Sequence, residues 1–217
     1  MFDLHKFIQR RRRIRILTTA VTGTLMLISV LVVKTAYQGQ RPITDGQINQ
    51  SYLWTDEGEI GGTPFFHRGI DFTGVKGTDV HALADGVVVQ LYELNDDDTF
   101  GNSAWGNFVL VRHDQRHWDQ TILPNGTSSF VYSIYSHLKS NSVGPIVGND
   151  VVAGEIIARR DNTGRSSGSH LHIQLVIHPE TDALLSPSNT LNSENNPRNP
   201  EVWINSLPGT GMAIGKV

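Results

Sequence analysis

The chain has 217 residues, a formal net charge of −3 and no cysteine. That length suits one domain with appendages. The missing cysteine excludes disulfides, thiolate metal sites and thiol nucleophiles, so a metal site must be drawn from the nine histidines and the carboxylates.

Charge is unevenly spread. Residues 1–40 hold seven Lys or Arg against one acid, Asp3, while the remainder holds eleven against twenty. A cationic head on an acidic body argues against a nucleic-acid partner, whose basic surface would lie on the folded domain.

The N-terminal elements come first. Residues 1–15 form a basic segment ending in RRRRIR, and Ile16–Val33 carries no charge. Such a run reaches the roughly 17–25 residues that span a bilayer. Arginines before it and few positive charges after it place the N-terminus in the cytoplasm and the body outside. The expectation is a single-pass anchor over 16–33. The alternative is a signal peptide cleaved after Ala36, where Lys34 stands at a position that favours a small residue.

Residues 34–50 are polar, with Gly and Pro, and read as a linker. The expected domain covers 51–208, followed by a tail at 209–217. Within it, GIDFTG, DVHALA, GVVVQLYEL, NFVLVRH, SFVYSIYSHL, VVAGEIIARR and HLHIQLVIH are short, rich in β-branched and aromatic residues, and separated by Gly, Asn and Asp. They predict strands. With no long helical period in the body, the fold class is all-β and mostly antiparallel. Segments 95–106 and 178–198 read as inserted loops.

Candidate chemistry sits beside the turns. His67 opens HRGID with Asp71 four residues on, His137 ends YSIYSHL, and His170 and His172 form HLH. In a strand, residues two apart share a face, so His170 and His172 point the same way. By the same rule Tyr135 shares a face with His137 and becomes a candidate contact to substrate or transition state, with a packed core tyrosine as the plainer reading. Two histidines and one aspartate meet the ligand count of a catalytic zinc site with an open position. Two further imidazoles then serve as base and as stabiliser of the tetrahedral intermediate. The same three ligands also make the facial triad of non-haem iron, but His137 and His170 are surplus to that chemistry. His81 and His113 read as structural.

HRGIDF, GTDVHALADGVVV, WGNFVLVRH, YSIYSHL, the run from Val151 to Val176 and NPEVWI together resemble the lysostaphin-type, or LytM-domain, zinc metallopeptidases that cut bacterial cell-wall peptides. The resemblance implies one zinc ion per domain, held by His67, Asp71 and His172, with His137 and His170 as catalytic histidines. It implies peptidoglycan peptides as substrate, lying in an open groove between loops. Departures from the family pattern are Ser169 where proline is common before His170, the acidic WTDEGEIGGTPFF lead-in, the acidic insert at 95–106 that lengthens one hairpin, and an expanded VGPIVGNDVVAGE run. Because some members of the family only bind the wall or activate an amidase, a non-hydrolytic domain is the alternative.

Overall fold

The computed structural model describes residues 39–52, 55–60, 63–93, 104–113, 130–178 and 197–204. Among the described residues the strands are β1 (Ile48–Gln50), β2 (Thr55–Ile60), β3 (Thr63–Phe66), β4 (Ile70–Thr73), β5 (Asp79–His81), β6 (Gly86–Tyr92), β7 (Asn107–His113), β8 (Phe130–Leu138), β9 (Asp150–Val151), β10 (Ile156–Arg159), β11 (His170–His178) and β12 (Pro197–Arg198), and a 3-10 turn lies at Pro200–Val202. The main sheet runs β1-β4-β11-β8-β7-β6-β9, and β12 joins it on β11. β2 with β3, and β5 with β10, form two small sheets. Every strand pair is antiparallel, as the strand signals predict.

Period-two alternation explains why the central strands look almost uniformly apolar. Both faces of the sheet are covered. Val109, Val111, Val131, Tyr135, Leu171, Ile173, Leu175 and Ile177 enter the main core, whereas Phe108, Leu110, Tyr132, Ile134 and Val176 enter a second cluster on the opposite face. Strands buried on both faces lose the polar alternation that marks a half-exposed strand. Each such aliphatic side chain contributes about 1.5–3 kcal/mol relative to an exposed one. His172 and Gln174 alternate with Leu171, Ile173 and Leu175, and so lie on the face of the second cluster.

One irregularity interrupts this order. Val109 faces Tyr135 and Asn107 faces Leu138, with a shift of register between the pairs. Two residues of β8, Ser136 and His137, thus oppose the single residue Phe108. This is a β-bulge, which bends a strand and re-aims a side chain. His137 takes φ = 60°, a left-handed conformation that histidine adopts more readily than most residues. Past the bulge the parity is inverted, and Leu138 returns to the main core.

The segment expected to be a linker is part of the domain from residue 39 onward. Ile43 is fully buried in the main core, beside Trp203 and Ile204. Gly39 donates to the Trp203 carbonyl at 2.7 Å and Gln40 to the Leu83 carbonyl at 2.6 Å, and β1 pairs with β4. A second fastener is Arg160, whose side chain has no exposed surface. Its guanidinium donates to the carbonyls of Thr73 and Val75, to Thr78 Oγ1 and to Asp45 Oδ2. A buried cation needs this many partners to offset its lost hydration.

The predicted segment 16–33 and tail 209–217 lie outside the described residues, as do most of the predicted loops 95–106 and 178–198. Pro197 and Arg198, at the end of the second loop, form β12 rather than coil. Among the described residues no helix is long and apolar enough to cross a membrane.

Candidate metal centre

Three neighbouring strands deliver the site. On β4 and β11, Asp71 stands directly opposite His172, and Thr73 opposite His170. Opposed residues of an antiparallel pair share a face. His67 lies in the turn before β4, and His137 is turned in by the bulge of β8.

His67 Nε2, Asp71 Oδ1 and His172 Nδ1 form a tight triangle. The edges are 3.0 Å between the two nitrogens, 3.2 Å from His67 to Asp71 and 2.8 Å from His172 to Asp71. All three residues are buried. His67 Nδ1 donates to the Ser51 carbonyl at 3.1 Å, so the neutral ring keeps its Nε2 lone pair for a metal, and the protonated ring donates from Nε2 to Asp71. A backbone carbonyl on the far nitrogen is how a ligand histidine is commonly oriented. Two imidazole nitrogens and a carboxylate oxygen aimed at one point suit a divalent cation of zinc's preference. His172 Nε2, on the other side of its ring, is buried without a hydrogen-bond partner.

Packing fixes the His172 ring. Trp105 meets it edge-on, with ring centroids 5.4 Å apart. Gly69 lies against the ring as well, where a Cβ would stand 2.7 Å from His172 Cε1, 2.8 Å from Nε2 and 2.4 Å from the Ile173 carbonyl oxygen. Glycine is needed at residue 69 for this close approach rather than for its backbone freedom.

His137 and His170 stand beside the triangle. Their ring centroids are 4.5 Å apart, and His170 Nε2 is 3.6 Å from Asp71 Oδ2. Both rings are held by carbonyls of one loop. His137 Nδ1 donates to the Thr163 carbonyl at 2.8 Å, and His170 Nδ1 to the Gly168 carbonyl at 2.8 Å. A carbonyl can only accept, so Nδ1 carries the proton in each ring and Nε2 keeps its lone pair.

The electrostatics match the geometry. Burial works to raise the Asp71 carboxyl, but hydrogen bonds from His172 and His67 outweigh it and hold the group well below the usual carboxylate range. Burial works to lower His67, and the bonded Asp71 carboxylate overcomes it and raises that imidazole. His172 remains lowered by burial despite Asp71. His137 is pushed down to about 3, first by burial and then by the neighbouring imidazoles.

Tyr135 does not reach this site, and the face-sharing expectation fails for a physical reason. The bulge at Ser136 and His137 reverses parity, so Tyr135 points into the main core while His137 points to the other face. The tyrosine is fully buried. Its hydroxyl accepts from the Leu83 N–H at 2.7 Å and is hydrogen-bonded with Ser133 at 3.0 Å. Ser133 lies 2.7 Å from His113 Nε2, whose Nδ1 donates to the Asp85 carbonyl. This serine–histidine pair resembles a nucleophile and its base, but both residues are sealed in the core, and the network is structural. His81 Nδ1 likewise donates to a main-chain carbonyl, that of Gly154.

Residues 65–184 match the sequence model of peptidase family M23. A DD-carboxypeptidase/endopeptidase, Mpg, of Neisseria meningitidis serogroup B is 35% identical over 131 residues, which is 57% of this chain and 24% of the relative. The peptidoglycan DD-endopeptidase ShyA of Vibrio cholerae is 31% identical over 111 residues, 51% of this chain and 20% of that protein. The chain thus spans about a quarter of the length of these curated relatives, or less. Among solved structures, Helicobacter pylori Csd3 shares the fold, with a TM-score of 0.50, 17% identity, and coverage of 79% of this chain and 36% of that one.

Proposed function

The chain belongs to peptidase family M23, and from that premise we propose that it is a zinc-dependent endopeptidase hydrolysing peptide cross-links or bridges of bacterial peptidoglycan. The observation that carries the proposal is the convergence of His67 Nε2, Asp71 Oδ1 and His172 Nδ1 beside two further imidazoles. Relatives that share the domain act as a peptidoglycan DD-endopeptidase and a DD-carboxypeptidase/endopeptidase, which supports the substrate class.

In this reading His67, Asp71 and His172 hold the ion. Bound zinc supplies Lewis-acid polarisation of the scissile carbonyl and a water acidified toward neutrality. The rest falls to the chain. Asp71, kept ionised, adds negative charge to the ligand set. Ser51 orients His67, and Trp105 and Gly69 confine His172. His137 and His170 each offer an Nε2 lone pair. One of them takes the proton from the attacking water and, as imidazolium, passes it to the departing amine nitrogen. The other takes an Nε2 proton from solvent, donates that N–H to the oxyanion and keeps the proton through the step. The wall peptide lies in a groove between the loops that flank the strands.

We further propose that residues 16–33 anchor the chain in the cell membrane, with the domain on the extracellular or periplasmic side. The supporting observation is the uncharged run behind five arginines. Retention of the chain in carbonate-washed membranes, with its N-terminus intact, tests this. Release with a new N-terminus near residue 37 would replace it by signal cleavage.

The activity is tested by metal analysis of purified protein and by digesting walls of different cross-link chemistry, with released termini identified by mass spectrometry. One zinc per chain and a single class of cleaved bond are expected. His172→Ala should lose both. A wild-type chain that binds no zinc, or that binds it and cuts nothing, refutes the enzyme and leaves a wall-binding domain.

A further inference from the structure

A bulge leaves ladder groups without their usual partners, and here a side chain supplies them. Asn107 and Leu138 face each other across β7 and β8. The Thr163 hydroxyl bridges them, accepting from the Asn107 N–H at 3.0 Å and donating to the Leu138 carbonyl at 2.7 Å. Thr163 is 2% exposed. Its own carbonyl is the acceptor for His137 Nδ1. The main chain closes round the same spot, since the His137 N–H donates to the Trp105 carbonyl and the Asp161 N–H to the His137 carbonyl. Gly106, at φ = 60°, packs flat against Thr163, and a Cβ there would fall 2.3 Å from the Thr163 carbonyl carbon and oxygen.

We infer that Thr163 is a positioning residue for His137: its hydroxyl closes the bulge that aims the imidazole, and its carbonyl selects the ring nitrogen that carries the proton. This inference rests on the reading of the site as a peptidase centre. The two functions reach His137 through different atoms of one buried residue, so displacing the side chain also displaces the carbonyl. A histidine in a left-handed conformation stays there only while its surroundings hold it. Thr163 makes three of the hydrogen bonds that do so, through its hydroxyl and its carbonyl, and the carbonyl accepts from His137 Nδ1. The loop that carries it also holds His170 through Gly168, so one segment sets the tautomers of both imidazoles.

The test pairs ring spectroscopy with kinetics on the full chain. Long-range 1H–15N spectra of histidine-labelled protein report which nitrogen is protonated. Wild type should show His137 protonated on Nδ1. Thr163→Val should disturb the His137 signals and leave those of His81 and His113 in place. On a soluble cross-linked muropeptide, Thr163→Val should lower kcat about 10–100-fold, the usual cost of removing an orienting partner, with KM and zinc content little changed. Thr163→Ser keeps the hydroxyl and should restore most of the rate. The proposal is overturned if wild-type His137 is protonated on Nε2, if Thr163→Val retains wild-type signals and kcat, or if Thr163→Ser is as impaired as Thr163→Val. Should Thr163→Val fail to fold, Gly106→Ala takes its place, because it presses on the same carbonyl and leaves the hydroxyl. A wild-type chain that cleaves nothing but shows the expected spectra refutes the peptidase reading and leaves the positioning intact.

Discussion

At the scale of single residues, the two histidines of HLH have different surroundings despite sharing a strand face. His172 is packed against Trp105 and Gly69 with Nδ1 on Asp71, while His170 has Nε2 at 3.6 Å from the same carboxylate. His170→Ala is therefore expected to keep one zinc per chain and lose turnover by about 100-fold or more, as befits a general base; metal analysis beside initial rates checks this. Gly69→Ala should instead weaken zinc retention, because its methyl would collide with the His172 ring, and a chelator competition reads that out. The face shared by His170 and His172 was legible in the sequence because β11 is regular. The separation of Tyr135 from His137 was not, since a bulge leaves no periodic signal and His137 has an ordinary strand sequence on either side. Nor was the role of Ser51, whose contribution is a carbonyl and so is independent of its residue type.

At the scale of elements, the bulged end of β8 divides the sheet's two faces between chemistry and stability. On the stability side, Tyr135 ties Leu83 to the β7–β8 ladder through its hydroxyl. Tyr135→Phe should lower unfolding free energy by about 1–3 kcal/mol by orphaning the Leu83 N–H, with kcat and zinc content unchanged; denaturant titration and rates test the two halves separately. Burial pushes this phenol up to about 12 from its ordinary 10.0. Folding thus favours the protonated form. The contribution is complete below pH 10 and is lost as pH rises from 10 toward 12. Alkaline unfolding of wild type should steepen across that interval, and Tyr135→Phe should not show the added slope. Six of the seven runs predicted as strands each hold one strand, and VVAGEIIARR is broken at Val152–Glu155 into β9 and β10, which belong to different sheets. β1, β2 and β3 carry polar residues, glycine or proline, as in INQ, TDEGEI and TPFF, and β12 has two residues; such strands are held by their neighbours rather than by their own propensity.

At the scale of the whole domain, the lead-in from Gly39 is structural. A chain beginning at residue 51 should fold poorly or not at all, whereas one beginning at residue 39 should melt cooperatively; calorimetry distinguishes them. Ile43→Ala alone should cost about 2–5 kcal/mol, as for other fully buried aliphatic truncations. The sequence concealed this because a single buried isoleucine among Gln, Asp, Gly and Pro sets up no periodicity, and two of the four partners of Arg160 are carbonyls. The same lead-in ends at Ser51, whose carbonyl orients His67, so a pull on the chain from its N-terminal side runs along a path toward the metal ligands. It meets Gly39 held to Trp203 and Gln40 held to Leu83 first. These two bonds act as a strain relief: a load applied ahead of residue 39 passes into the core at residues 39–40 before it reaches Ser51, twelve residues beyond Gly39.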